Sequence, residues 1–593
     1  VRGLLTARLL SFSLATLVFG SGLIFLSSSR RAISPRFVSG SYYEGEAVKP
    51  IHLPFRAPAQ SPDIDVELNM ELGERQAALY RLHSSGCVED FRVNGVRAWR
   101  GSFCDDGTGW LLTLSDFLHP GENVLTFRLR SEEMPVPLHG LDIYPSRMDP
   151  FVLSSTISIL LLVAGYGWFL LRFFGGKGKL PVLGMLVLIG TLLRFLYLSA
   201  TPYAARSYDW QGHIEYLRYV ADHFSIPPAQ LGWETFQPPL YYFLGALYLK
   251  AGHALGRPFE LLFPDLQAVS FLFSVLTLAT GAWMGTMLFK EEEQRSRLLF
   301  TGMLAVFPGL LFFAARISND TLYSLLAFLF LAFLLRWWGD GRERDWITAS
   351  ILLALSLLTK GNALLLLPVL FLCLLLKRGI GREETIGLFL KSLFVIAVLA
   401  GWFYLLRFGV EGERFIVGNV RWYAREALFM ENSFGQFLVF DPLRIFLFHF
   451  NNEFSDAMGR QYFWEYFFRS AFTGQFVFGG KTVALISAMQ FMAMALLPAT
   501  LVGAFRAARE ENGMPLLVTV VVLLVGHVLY RVLFPVASAQ DFRFSVLVIV
   551  PLVFFTIRGI QVLPRVLEKC GLLLLLSFLL ASAVLPALLY FYS

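Results

Sequence analysis

Residues 319–337 read NDTLYSLLAFLFLAFLLRW, 19 residues in which no charge interrupts the chain between Asp320 and Arg336. A helix needs about 20 predominantly apolar residues to cross the roughly 30 Å hydrocarbon core of a bilayer. This run supplies them, with an acidic residue at one end and a basic stretch, Arg336 to Arg344, at the other. Working outward, runs of the same character occupy roughly 4–27, 151–173, 180–200, 237–254, 266–289, 298–315, 346–376 as a helical pair, 391–408, 484–505, 514–534, 545–563 and 571–592. Hydrophobic types make up 56% of the 593 residues and charged types 16%, whereas an ordinary soluble domain carries about 25% charged residues. A soluble enzyme is excluded. The chain reads as a polytopic α-helical membrane protein of about 13–14 transmembrane helices.

The formal charge of +6, from 50 Lys and Arg against 44 Asp and Glu, sits mostly in short loops between apolar runs. It is a topology signal and not a nucleic-acid footprint, so no nucleic-acid partner is expected. Basic loops at Lys177–Lys179, Arg336–Arg344, Lys377–Lys391, Arg506–Arg509 and Arg565–Lys569 belong in the cytoplasm by the positive-inside bias. That assignment puts 201–236, 316–320, the turn at Lys360, 409–483 and 535–544 on the outer side. It also contains a conflict: three apolar runs separate 236 from 316, yet two segments on one side require an even number of crossings. One of the three must be re-entrant, interfacial or too short to cross.

Three parts follow: residues 1–31 as a membrane anchor, 32–148 as an extracytoplasmic β-sandwich, and 149–593 as the multispan core. The run 4–27 is too long for a signal-peptide core and lacks a clean small-x-small cleavage site. Within 32–148, alternation over Asp63–Leu72 and Asn123–Leu129 predicts strands. Phe91-Arg92-Val93-Asn94-Gly95-Val96 predicts an Asn-Gly hairpin, and His119-Pro120-Gly121-Glu122-Asn123 a turn into the late strand. Four cysteines, none closer than 17 residues to another, exclude a CxxC metal array. Cys87 and Cys104, the two in the β-region, are either a disulfide, as suits an oxidising compartment, or two buried thiols.

The chemistry-bearing residues cluster in the outer segments. Tyr208-Asp209-Trp210-Gln211-Gly212-His213 places Asp209 and His213 at i,i+4, as an acid/base pair or as an N-cap beside a solvated histidine. Trp233-Glu234-Thr235-Phe236-Gln237 follows, then Pro238-Pro239-Leu240-Tyr241-Tyr242. Arg316-Ile317-Ser318-Asn319-Asp320, Leu358-Thr359-Lys360-Gly361-Asn362 and Gln540-Asp541-Phe542-Arg543-Phe544 each sit at the outer end of an apolar run. The loop 409–483 is rich in aromatics and charges: Trp422, Tyr423, His449, Asp456, Arg460 and the run Tyr462-Phe463-Trp464-Glu465-Tyr466. There is no Walker A, GxGxxG after a strand, HExxH or GxSxG motif, so nucleotide, zinc-hydrolase and serine-hydrolase chemistry lose their usual support.

The acidic residue in the first outer loop followed by a PPL(L/Y)Y helix start resembles the GT-C superfamily of polyprenyl-phosphate-sugar glycosyltransferases, which includes protein O-mannosyltransferases and aminoarabinose transferases of the glycosyltransferase family 39 type. The "VNG" hairpin and "PGEN" turn resemble galactose-binding-like jelly-roll domains, and an anchor, jelly-roll and multispan order is similar to that of cell-wall arabinosyltransferases. The resemblance implies a GT-C fold and Asp209 as catalytic base. It implies Lys360, Arg543 and Arg316 at the donor phosphate, and His213, Glu234, Gln237, Tyr241, Asp320, Trp464 and Glu465 around donor and acceptor. Aminoarabinose transferases carry Glu-Lys just before the two prolines, where this chain has Phe236-Gln237 with Glu234 upstream. The transfer is expected to be metal-independent or weakly metal-assisted, with a divalent cation, Mg or Mn, as a candidate near Asp209, His213 and Asp320. The implied reaction is inverting transfer of a sugar from a polyprenyl phosphate to a hydroxyl on a glycan, lipid or protein. It would take place on the periplasmic face of a bacterial inner membrane, with the β-domain docking acceptor. The alternatives are an O-antigen-ligase-like or flippase-like handler of a lipid-diphosphate glycan, and a non-enzymatic glycan-binding receptor.

Overall fold

In the N-terminal part, alternation of side chains across extended segments sets the architecture. In the computed structural model the strands are β1 (Arg36–Glu44), β2 (Ala47–Pro50), β3 (Arg56–Ala57), β4 (Asp63–Leu72), β5 (Tyr80–Ser84), β6 (Cys87–Val93), β7 (Val96–Arg97), β8 (Ser102–Cys104), β9 (Trp110–Leu112), β10 (Gly121–Arg130) and β11 (His139–Pro145). One antiparallel sheet runs β2-β1-β4-β10-β6-β7 with β8 beside β6; the other runs β3-β11-β5-β9. Ile64, Val66, Leu68 and Met70 of β4 and Leu125, Phe127 and Leu129 of β10 share one buried core with Tyr80 and Leu82 of the second sheet. The opposite positions carry cross-strand ion pairs, Arg128 to Asp65 at 2.8 Å and Arg130 to Asp63 at 3.1 Å.

The two turn signals of the sequence meet in space. Asn94 and Gly95 both take positive φ, 52° and 77°, as a tight hairpin requires. Asn94 Nδ2 then donates to Asn123 Oδ1 at 2.9 Å, and its Oδ1 accepts from the Val124 N–H at 2.8 Å. Asn123 is buried and also bonds the His119 backbone on both sides of the turn. Cys87 and Cys104 lie opposite each other in the β6–β8 pairing and are joined by a disulfide.

The structure describes residues 181–201, 206–255, 265–411, 428–476 and 482–592 nearly throughout, with the strands between 36 and 145 and scattered positions in 15–22 and 154–169. The anchor expected at 4–27 and the span expected at 151–173 fall largely outside the described residues, as do Trp422 and Tyr423. The chain divides into two units, one holding residues 1–166 with 478–480 and 589–593, the other 167–477 with 481–588. Among the described residues eight helices are long and apolar enough to cross a membrane: 182–199, 266–288, 319–340, 382–410, 482–507, 513–533, 537–562 and 565–590. A ninth results if the pair Gln294–Val306 and Pro308–Ala315, bent by 56°, counts as one span.

This count resolves the parity conflict. The run expected to span 237–254 is a 15-residue helix, Leu240–Ala254, only about 22 Å long at 1.5 Å per residue and short of the bilayer core. Two crossings remain between the loop at 209 and the helix start at 319, which returns both to one end of the bundle.

Pro308 has no N–H to give the Leu304 carbonyl, so the ninth span is broken there. Arg194, buried in the helix Pro181–Ser199, repairs the break. Its Nη2 bonds Leu304 O at 3.3 Å and its Nη1 bonds Ala305 O at 2.8 Å, while Nε reaches Ser274 Oγ at 2.9 Å. In a medium without water those carbonyls have no alternative partner. Arg194→Met should therefore destabilise the core by about 2–4 kcal/mol, seen as a lower melting temperature in detergent, with Arg194→Lys recovering only part of the loss.

Candidate active site

Four chain segments end at the same place. Asp209 occupies the N-cap position of the helix Trp210–His223, but with left-handed backbone, φ 49°, and no side-chain capping bond. The capping alternative therefore fails: the carboxylate turns away, accepts the Trp233 Nε1–H at 2.9 Å on Oδ1 and faces Arg543 Nη2 at 3.5 Å on Oδ2. Its side chain is 28% exposed, where Arg543 is 9% and Asp320 1% exposed.

Asp320 begins the helix Asn319–Asp340, which Ser318 caps by accepting from the Asp320 N–H. Its carboxylate accepts from Ser318 Oγ at 3.0 Å and is ion-paired to Lys360 and, at 3.5 Å, to Arg543 Nη1. A carboxylate is well placed in the first turn of a helix, where free N–H groups point outward. Lys360 follows the helix Glu343–Leu357 as the extended residue before a short 3₁₀ turn. Leu358 O, at that break, accepts the Leu240 N–H at 2.8 Å. This explains the Pro238-Pro239 pair: neither proline has an N–H, so Leu240 supplies the first donor of its helix and docks it on the Lys360 turn. Asn362 Nδ2 bonds Phe544 O at 3.2 Å, tying the same turn to the Arg543 segment.

A second cationic group adjoins. The buried Arg316 guanidinium lies 4.3 Å from the Tyr208 ring centroid, 5.3 Å from Phe313 and 5.4 Å from Phe476. Arg543 lies over the same Tyr208 ring at 3.9 Å. Tyr208 is fixed by its hydroxyl, which donates to Asp541 Oδ2 at 2.8 Å and accepts the Gln475 N–H at 3.0 Å. Gly474, with φ 63°, lets that loop approach; a Cβ there would collide with the Tyr208 hydroxyl. Arg316 forms no ion pair among the described residues, and the Nε atoms of both Arg316 and Arg543 lack hydrogen-bond partners among them.

His213 is buried, not solvated, with Nδ1 2.8 Å from the Tyr242 hydroxyl and its ring against that of Tyr242. Burial lowers its pKa to about 4, the dominant effect over the favourable charge of Asp209. Glu234 is also buried; desolvation and then the neighbouring Asp209 raise its pKa well above the carboxylate range, so its neutral form is favoured. It accepts from Gln237 Nε2 at 3.0 Å, and Gln237 Oε1 accepts from Asn319 Nδ2 at 3.2 Å.

The structure thus gathers Asp209, Glu234, Gln237, Asp320, Lys360, Arg543 and Arg316, with His213 and Tyr241 in the wall behind. Tyr241 is buried edge-on to His213. Trp464 instead lines an apolar cavity whose wall includes Phe542, the residue before Arg543. Glu465 lies apart: it is bound to Arg444 at 3.1 Å and to the Asp441 N–H at 3.0 Å, which occupies it structurally. Among the described residues no three His, Cys, Asp or Glu are grouped to hold a metal; Asp320 is ion-paired to Lys360 and Arg543, and His213 lies against Tyr242. Tyr208, Trp233 and Asp541 were not singled out by sequence; each lies within two residues of one that was, but the Tyr208–Asp541 contact spans 333 positions.

His213 also makes stability depend on pH. Its neutral form is favoured on folding, so its contribution is complete above the unfolded value near 6.5 and is lost as pH falls toward 4. Melting temperature should drop more steeply between pH 6.5 and 4 in the wild type than in His213→Gln, a difference of up to about 3 kcal/mol.

No family model and no curated protein matches the chain. Among solved structures it is similar to the oligosaccharyltransferase of Archaeoglobus fulgidus in its apo form, at 16% identity and a TM-score of 0.40 over 70% of this chain and 56% of that one. The same enzyme, AglB, in complex with an inhibitory peptide and a dolichol-phosphate, aligns at 15% identity and 0.39 over the same shares. ArnT from Cupriavidus metallidurans bound to undecaprenyl phosphate aligns at 14% identity and 0.33, over 63% of this chain and 77% of that one. The chain spans little more than half the length of the archaeal enzyme it aligns with. At these identities and scores the likenesses say nothing of donor, acceptor or mechanism here.

Proposed function

We propose that the chain is a glycosyltransferase of the GT-C type. It would move a sugar from a polyprenyl-phosphate donor to an acceptor hydroxyl on the extracytoplasmic face, with inversion. The observation that carries this reading is the buried Arg316 guanidinium, which forms no ion pair among the described residues, set with Arg543 on one tyrosine ring beside Asp209. Three cations, Arg316, Lys360 and Arg543, at one end of an apolar bundle suit a phosphate carried on a lipid. An apolar cavity of about 370 Å³ lies next to them, walled by Phe307, Trp464, Phe467, Leu497 and Phe542 among others. Phe542 precedes Arg543 directly, so a prenyl chain in the cavity would bring its phosphate to the cations. The Cys87–Cys104 disulfide suits an oxidising compartment.

In the step itself, the acceptor O–H proton passes to Asp209 while the acceptor oxygen bonds the anomeric carbon from the face opposite the phosphate. The carbon–oxygen bond to phosphate breaks, its electron pair stays on the phosphate oxygen, and Lys360, Arg543 and Arg316 stabilise the negative charge that grows there.

Two measurements test the reading. Binding of undecaprenyl phosphate to the purified protein should weaken roughly 10- to 100-fold in Arg316→Ala, the loss of a charge-assisted bond. An unchanged affinity overturns the phosphate assignment. Turnover, followed as undecaprenyl phosphate released from a panel of undecaprenyl-phosphate sugars, should vanish in Asp209→Asn; full turnover would return Asp209 to a structural role.

A further inference from the structure

Resting on the donor reading above, we infer that Arg543 couples donor binding to the release of the catalytic base: in the free protein it masks Asp209, and the arriving phosphate draws it away. Arg543 divides its charge between two carboxylates, Nη1 toward Asp320 and Nη2 toward Asp209, each at 3.5 Å. The two partners are not equivalent. Asp320 is fully buried, capped by Ser318 and held by Lys360, so it is a fixed counter-ion. Asp209 is more exposed than Arg543 or Asp320, and among the described residues its other hydrogen bond comes from Trp233. Trp233 engages Oδ1 and Arg543 faces Oδ2, so each oxygen of the base already has a donor beside it in the free protein, and the one on Oδ2 is a cation.

The guanidinium rests on the flat face of Tyr208 at 3.9 Å, and its Nε has no acceptor among the described residues. It can therefore turn on that ring while keeping Asp320, exchanging Asp209 for a phosphate oxygen. A phosphate offers more charge and more acceptor oxygens than a partly exposed carboxylate. Asp209 Oδ2 then faces the acceptor. Donor must bind before the base can act, so acceptor hydroxyls and water meet a masked carboxylate whenever the donor site is empty.

The test is a double-mutant cycle on undecaprenyl phosphate affinity, measured by native mass spectrometry on the full chain in detergent. Asp209→Asn removes the competing carboxylate, so it should bind the lipid phosphate roughly tenfold more tightly than wild type. In an Arg543→Gln background the same substitution should change affinity by less than about twofold, because no guanidinium remains to be shared. Arg543→Lys, which keeps the charge but cannot fork, should also lose most of the coupling and serves if the glutamine variant melts early. Unchanged or weaker binding in Asp209→Asn overturns the inference. Equal tightening in all backgrounds also overturns it, since plain repulsion between Asp209 and phosphate does not need Arg543. Neither result touches the proposed function, which fails instead if wild type does not bind the lipid phosphate or if Asp209→Asn turns over normally.

Discussion

The Asp320–Lys360–Arg543 ion network is the constraint on which the rest of the helical unit depends. Each member is almost wholly buried, and an isolated charge in such surroundings would cost several kcal/mol. Pairing makes burial tolerable only if three chain segments, separated by 40 and 183 positions, end within contact of one another. Breaking any one member leaves the others as unpaired charges in a low-dielectric interior. The network therefore holds a junction between helix ends as well as a site.

The helices accommodate this by being interrupted where they reach it. The 3₁₀ turn at Gly361–Leu365 and the 3₁₀ stretch Phe542–Val548, which is non-helical at Ser545, both flank the charged cluster. The break at Pro308 lies one short segment before Arg316. Backbone freed by such breaks has to be satisfied by protein, since lipid offers no partners. Arg194 does this for Leu304 and Ala305, Asn362 for Phe544, and Leu240 for Leu358. Polar side chains that would be costly in a continuous span are used up in repairing broken ones.

The result is a polar cluster at one end of the bundle next to an apolar cavity within it. Phe542 belongs to the cavity wall and Arg543 to the cluster, so one residue step crosses from hydrocarbon-like to ionic surroundings. That juxtaposition of ionic and apolar surroundings is what the proposed lipid-phosphate reading rests on. Arg407 adds rigidity from the far side of the loop, bonding Pro227 O at 3.1 Å and Thr235 O at 2.7 Å beside Glu234.

The sequence by itself determined which segments are apolar enough to span, because span length depends only on composition over about 20 residues. It likewise determined the strand Asp63–Leu72, the alternating core Asn123–Leu129 of the strand that runs Gly121–Arg130, and the Asn94-Gly95 hairpin, which rest on alternation and on positive φ within a few residues. Asp209, Lys360, Arg316 and Arg543 were legible as ionisable groups at the ends of apolar runs, since a charge in such a place needs a reason. Their partners were not legible. Only the tertiary structure decided that the Asp209 side chain turns from its helix toward Arg543, that Glu465 is spent on Arg444, and that His213 is buried against Tyr242. It alone decided that the run at 237–254 is too short to cross. The physical reason is that pairing energies depend on distances between residues hundreds of positions apart, which local periodicity does not encode, whereas the solvent preference of each segment is a local sum that it does.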